Sequence, residues 1–315
     1  MKSALCTIVI TLMAAATAAA QFNPAAFPVA NVVPPIDSVQ CWRSCQSCRG
    51  DDVVACPAPG VWGLTFDDGP TANTPTLLAT LKANNVKATF FVMGTNVVLN
   101  PEILKQEVAD GHHLASHTWS HHPLTTLSNE QIVAELKWTE KAVFDITGLQ
   151  MKYVRPPYGD IDNRVRAVCK KLGYTIVDWT SDLYDSKDFN LNAGFTEAKL
   201  AAAVTTFSTA LTAYGANPGD KGIITLEHDL YPVTVEFAKR ILPIATQAKL
   251  KVQSIAECLN DASPYQNSPA ANATKPGTGG NGGSAGGNKL SGAGSVSAKV
   301  VLTVSLAVIA AAFSL

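Results

Sequence analysis

The stretch Val61-Trp-Gly-Leu-Thr-Phe66-Asp67-Asp68-Gly69-Pro70 runs from an apolar, aromatic segment straight into two adjacent carboxylates and a turn. Residues 61–66 predict a strand. Adjacent side chains at a strand end point in different directions, so one carboxylate can bind a metal while the other stays free as a base. The same four residues also read as a plain turn, because Asp, Gly and Pro favour turns for local reasons. The remainder of the chain decides the fold class. Short β-branched or aromatic runs at 88–92, 152–154, 175–178, 222–226 and 251–253 alternate with helical patterns near 76–83, 101–109, 129–146, 161–171, 196–212 and 233–248. The clearest helix opens on the capping box Ser128-x-x-Gln131 and ends at Gly148. Strands alternating with helices predict a mainly parallel sheet, closed as a barrel or open, with ligands at the carboxyl ends of the strands.

The chain has 315 residues, but both ends read as processing signals. Lys2, an apolar run and the small residues up to Ala20 have the order of a secretory signal peptide, residues 1–20. Residues 21–59 form a cysteine-containing segment, and residues 60–261 a single domain of catalytic size. Residues 262–298, rich in Gly, Ser, Asn and Pro, form a flexible stalk. Residues 299–315 end in an apolar tail with no basic residues after it, the pattern of a GPI-anchor signal, with Ser291 as the attachment residue. That places the mature protein outside a eukaryotic cell, on the plasma membrane. Asn272-Ala-Thr274 in the stalk is a glycosylation site. With 24 Lys+Arg against 25 Asp+Glu and no basic patch, nucleic acid is excluded as a partner, and no obligate protein partner is evident. Between the ends no apolar run reaches the roughly 18 residues of a membrane span.

Secretion sets the reading of the cysteines. Cys41, Cys45, Cys48, Cys56, Cys169 and Cys258 remain after the signal peptide leaves, an even number that predicts three disulfides of undetermined pairing. The spacing Cys41-x3-Cys45-x2-Cys48 also admits a zinc knuckle.

Five of the six histidines lie within residues 112–122. His117-Thr-Trp-Ser-His121 places two imidazoles at i and i+4, which on a helical turn share one face and can share one cation. No Glu follows His117, so this is not the zinc-protease motif and the base must come from elsewhere. Two His and one carboxylate, here His117, His121 and Asp68, form a facial set that leaves positions open for water and substrate. Arg155-Pro-Pro-Tyr158-Gly reads alone as a stiff turn, and a lone His228 at a strand end reads alone as a core histidine.

Asp-Asp-Gly-Pro, His-Thr-x-x-His, Arg-Pro-Pro-Tyr and Leu226-x-His228-Asp, taken in this order over about residues 60–260, resemble the polysaccharide deacetylase (NodB-homology) family. Within it the sequence is most similar to fungal chitin deacetylases, through Ser116–His121, Leu124–Leu127 and Arg155–Arg166. The resemblance implies a distorted (β/α) barrel and hydrolysis of N-acetyl groups on β-1,4-linked N-acetylglucosamine, giving chitosan and acetate. By motif position, Asp68, His117 and His121 bind one divalent ion, Zn²⁺ or Co²⁺. Asp67 is the base on the attacking water, Arg155 holds Asp67, and His228 protonates the departing amine. The Tyr158 N–H helps to stabilise the oxyanion, and Leu226 belongs to the acetate site. The family also has Asp-x-x-Asp-Trp, whose Asp tunes the acid histidine and whose Trp packs on the acetyl methyl. Read here as Asp182-Leu-Tyr-Asp185-Ser186, that motif has Asp185 as its carboxylate and lacks its Trp, so Trp179, Tyr184 or Phe189 must supply the wall. Deacetylation of another polysaccharide such as acetylxylan would use the same site, and an inactive wall-binding protein would keep only the fold.

Overall fold

The computed structural model describes residues 51–268. The signal peptide, Cys41, Cys45, Cys48, Asn272, Ser291 and the terminal tail lie outside them. The described chain runs β1 (Val61–Gly63), β2 (Thr65–Asp67), α1 (Thr74–Ala83), β3 (Thr89–Val92), α2 (Gly94–Leu99), α3 (Pro101–Ala109), β4 (His113–Ser116), α4 (Asn129–Thr147), β5 (Tyr153–Val154), α5 (Asn163–Lys171), β6 (Thr175–Ile176), α6 (Glu197–Ala216), β7 (Ile223–Ile224), β8 (Glu227–His228), α7 (Pro232–Ile241), α8 (Ile244–Gln247), β9 (Lys251–Gln253) and α9 (Ile255–Cys258).

Every pairing between these strands is parallel. They form a six-stranded sheet in the order β6-β5-β4-β3-β2-β8 and a three-stranded sheet in the order β7-β1-β9. The two are linked through broken strands. The expected strand 61–66 divides at Leu64, whose N–H donates to Gln253 O and whose carbonyl accepts from Thr89 N–H, both at 3.0 Å. Leu64 thus passes one strand from β9 to β3. On its other side the segment 223–228 divides likewise into β7 and β8. The stretch after β6 returns to that segment, since Thr180 N–H donates to Ile224 O and Ser186 N–H to Leu226 O, both at 3.0 Å. The result is a mixed α/β fold with a distorted parallel sheet.

Side-chain alternation divides the core in two. Phe66, Phe90 and Leu114 face the helices in the larger cluster, while Phe91, Ala115, Tyr153 and Ile224 form the smaller one. All are nearly or fully buried. Four elements lie outside the runs expected from the sequence: α2, β4, β8 and α9. β4 has only Leu114 and Ala115 as apolar residues, too few to outweigh the histidine-rich context. The capping box at Ser128 is present, and α4 ends at Gly148 with φ 75°, a left-handed cap that glycine adopts without steric cost. Among the described residues, no helix is long and apolar enough to cross a membrane.

Cys56 and Cys258 form a disulfide between points 202 residues apart, pinning the segment before β1 to α9. Cys169 corrects the expectation that all six cysteines pair. It is a buried free thiol on α5, packed into the larger core with Val165 and Val168. Burial, reinforced by the charge of Asp52, pushes it up to about 12.

Candidate active site

The carboxyl ends of β2, β4, β5 and β8 meet at one place. Asp67 is the last residue of β2 and is 2% exposed. Arg155, directly after β5 and fully buried, donates from Nη1 to Asp67 Oδ1 at 2.8 Å and to Thr65 Oγ1 at 2.6 Å. The guanidinium lies 4.2 Å from the centroid of the Phe91 ring. Burial raises the Asp67 carboxyl to about 6 against the pull of Arg155 and His228, with Asp68 adding to the rise. A base near 6 is ionised at neutral pH yet more basic than a free carboxylate.

Asp68 has φ 76°, and this left-handed turn swings its side chain away from that of Asp67. Its carbonyl accepts from Asn96 Nδ2 at 2.6 Å. The next residue must be glycine, because a β-carbon on Gly69 would stand 2.3 Å from Asp229 Oδ2. Asp68 Oδ1 is 3.5 Å from His117 Nε2 and 3.4 Å from His121 Nε2. It is buried and makes no hydrogen bond.

His117 Nδ1 lies 2.9 Å from the carbonyl of Arg155. A carbonyl only accepts, so Nδ1 carries the proton and Nε2 presents a lone pair. Burial, the neighbouring His121 and the Arg155 charge hold His117 neutral, well below its ordinary value, against the carbonyl's hydrogen bond. His121 is also lowered, chiefly by burial. Ligand atoms of Asp68, His117 and His121 lie within 4.8 Å of one another. A buried carboxylate oxygen without a hydrogen bond, facing an imidazole lone pair, is the donor set that a divalent cation satisfies. The two histidines do not lie on a helix, contrary to the expectation from their spacing. They follow β4 in a loop in which Thr118 (φ 67°) and His121 (φ 60°) are left-handed.

His228 ends β8 across from Asp67. Its Nδ1 is 2.7 Å from Asp188 Oδ1, and its backbone N–H donates to Asp188 Oδ2 at 3.1 Å. Burial alone would lower this imidazole. Asp188, Asp68 and Asp67 outweigh it and raise His228 to about 10, so it is an imidazolium at neutral pH.

Asp188 corrects the assignment of Asp185. The single Nδ1 proton of His228 goes to Asp188, while Asp185 Oδ1 accepts from Lys187 N–H at 3.0 Å in the preceding turn. Asp182 opens a separate short turn, Asp182–Tyr184. The motif lies three residues further on, as Asp185-Ser-Lys-Asp188-Phe189, with Phe in the place of Trp. Phe189 meets the His228 ring edge to face at 5.3 Å and is 42% exposed. Trp179 is buried, with the Arg155 guanidinium 5.8 Å from its ring, and Tyr184 packs on Tyr214. Tyr158 has φ 61°, and its exposed ring lies 4.5 Å from that of His121. Leu226 is buried two residues before His228.

Residues 55–177 match the family model described as polysaccharide deacetylase. Chitin deacetylase 1 of Saccharomyces cerevisiae is 39% identical over 230 residues, covering 72% of this chain and 70% of that protein. The chain belongs to the polysaccharide deacetylase family. Chitin deacetylase 1 of Cryptococcus neoformans var. grubii is 44% identical over 234 residues, or 71% of this chain and 49% of that protein. The chain spans about half the length of the first curated relatives it matches. Among solved structures, the chitin deacetylase of Colletotrichum lindemuthianum superposes with a TM-score of 0.61 at 32% identity, covering 68% of this chain and 95% of the other. The expected fold, a single deacetylase domain of the NodB-homology type, therefore holds.

Asp188→Asn is expected to lower the pKa of His228 by about 1–3 pH units, because it removes the anion that favours the imidazolium. An NMR titration of the His228 ring protons in metal-free protein checks this; an unmoved midpoint would detach Asp188 from the acid.

Proposed function

We propose that this protein removes N-acetyl groups from chitin or chitin oligosaccharides by metal-dependent hydrolysis, releasing acetate and leaving a free amine. One observation carries the reading: the Asp68, His117 and His121 cluster adjoins Asp67, with His117 Nε2 3.7 Å from Asp67 Oδ2, while Arg155 holds Asp67 and Asp188 holds His228 directly opposite Asp67 in the sheet. On this reading the three groups supply a base, a cation site and an acid. The names of the relatives, chitin deacetylases from three fungi, support the choice of substrate.

Asp68, His117 and His121 would hold the divalent ion, Zn²⁺ or Co²⁺. When bound, such an ion polarises the amide carbonyl and brings the pKa of water towards about 7. The chain's own residues do the rest. Asp67 Oδ1 is engaged by Arg155, leaving Oδ2 to take the proton from the attacking water as the new C–O bond forms. The Tyr158 N–H is positioned by its left-handed turn to donate to the oxyanion, a contribution of about 3–4 kcal/mol for such donors. The C–N bond then breaks as His228 gives its Nε2 proton to nitrogen, since an amine anion does not leave unprotonated. Phe189 and Leu226 wall the acetyl methyl beside His228, and Trp179 supports Arg155 from below. Activity requires Asp67 ionised and His228 protonated, so kcat/KM rises through the first ionisation, near 6, and falls through the second, near 10. A bound cation draws both limbs to lower pH, because positive charge favours the deprotonated forms.

Treatment with a chelator is expected to abolish acetate release from a chitin oligomer, and added Zn²⁺ or Co²⁺ to restore it. Full activity in protein shown to be metal-free would overturn the proposal.

The protein acts, on this reading, outside the cell. Residues 1–20 direct secretion and a GPI lipid joined at Ser291 anchors the chain to the plasma membrane. The expected stalk 262–298 is shortened at its start, since Tyr265 packs against the domain core and its hydroxyl accepts from Leu114 N–H at 3.1 Å. The part beyond residue 268, glycosylated at Asn272, lets the domain reach wall chitin. Phosphatidylinositol-specific phospholipase C is expected to release the protein from membranes; a mature protein that still contains residues 300–315 by mass spectrometry would contradict the anchor.

A further inference from the structure

Residues 117–121 carry two of the three proposed metal ligands on a backbone without regular structure. Thr118 and His121 both adopt left-handed φ, which residues with a β-carbon avoid. Such a loop keeps its shape only if its peptide groups find fixed partners. The carbonyls are met by α2, where Gly94 N–H donates to Thr118 O at 3.0 Å and Thr95 N–H to Trp119 O at 3.1 Å.

The amides converge on one carboxylate from a different element. Glu135 Oε2 accepts from the N–H groups of Trp119 and Ser120, both at 2.8 Å, and Oε1 accepts from Ser120 Oγ at 2.5 Å. With its proton given to Glu135, Ser120 Oγ accepts from His122 Nδ1 at 2.7 Å. Glu135 stands on α4, a 19-residue helix fixed at its start by the Ser128 capping box. The Trp119 ring is nearly buried and packs against Trp138 on the same helix, with centroids 6.4 Å apart.

We infer that Glu135 is a positioning residue for the metal centre, acting through the loop backbone to fix the separation of the His117 and His121 rings, whose centroids lie 4.9 Å apart. The inference rests on the reading of Asp68, His117 and His121 as the metal ligands. None of the three Glu135 hydrogen bonds involves a ligand side chain, so its effect falls on the geometry of the ligand set. A carboxylate suits this place because two oxygens must accept three protons. A glutamine presents one acceptor oxygen and turns an NH₂ towards the remaining donor.

The test is the dissociation constant for Zn²⁺, measured on the full chain by competition with a chromophoric chelator, together with the visible spectrum of the Co²⁺ form. Glu135→Ala should weaken Zn²⁺ binding by about 10–100-fold and alter the Co²⁺ spectrum, as loss of an outer partner of a metal site commonly does. Glu135→Gln and Ser120→Ala should give smaller losses in the same direction, and Lys141→Ala, on the exposed side of α4, none. If Glu135→Ala fails to fold, the two milder variants decide. Wild-type-like Zn²⁺ affinity and Co²⁺ spectra in folded Glu135→Gln and Ser120→Ala would overturn the inference. A wild-type chain that binds no Zn²⁺ would instead remove the metal reading, and this inference with it.

Discussion

The buried ion pair between Arg155 and Asp67 is the constraint on which the site depends. Both groups are removed from water, and an unpaired charge at such a position is strongly destabilising. The guanidinium therefore has to be fully engaged. It bonds Asp67 and Thr65 on β2 and stacks on Phe91 from β3, while its own backbone follows β5. Its carbonyl fixes the tautomer of His117. One residue thus orients the proposed base through its side chain and a proposed metal ligand through its main chain. Lysine cannot replace it, since an ammonium has neither a planar face to stack on Phe91 nor the separate Nε and Nη2 donors that reach the Val177 and Asp178 carbonyls.

This arrangement resolves a conflict between like charges. Asp67 and Asp68 are neighbours in sequence, and two buried carboxylates side by side raise each other's pKa. The left-handed turn at Asp68 and the guanidinium beside Asp67 give them different surroundings. Asp67 is balanced by Arg155, whereas Asp68 faces neutral imidazoles and needs a cation. On the other side, Asp188 offsets the burial of His228 and keeps its proton. The proposed acid and the proposed base are therefore protonated and ionised, respectively, over the same pH range, as the proposed amide hydrolysis requires.

Much of this is legible in the sequence, because expected strand ends followed at once by Asp-Asp, Arg-Pro-Pro-Tyr and Leu-x-His confine these side chains to one end of a parallel sheet. Asp188 escapes a reading that locates its motif through the Trp. With Phe189 in that place the register slips by three residues, and Asp-x-x-Asp followed by any aromatic residue finds it. The His117–His121 spacing suggests a helix because i and i+4 coincide there; left-handed φ values at Thr118 and His121 bring the rings together by another route, one that local propensity does not reveal. Parity alone places Cys169 in a disulfide, yet its place on the buried face of α5 with Val165 and Val168 is that of a core residue. Short strands such as β4 carry too little periodicity to be read, and the contacts that define them come from neighbours far along the chain. Glu135 gives no signal in the sequence, since a glutamate in an amphipathic helix is ordinary until the loop it serves is seen.

The central claim is that Arg155 and the turn at Asp68 divide two adjacent carboxylates into a base and a metal ligand. Metal content and acetate release, measured in parallel for Asp67→Asn and Asp68→Asn, test it most directly. Asp67→Asn should retain about one equivalent of metal while its rate falls roughly 10²–10⁴-fold, and Asp68→Asn should lose both metal and rate. Equal loss of metal in the two variants, or an Asp67→Asn protein with undiminished rate, would contradict it.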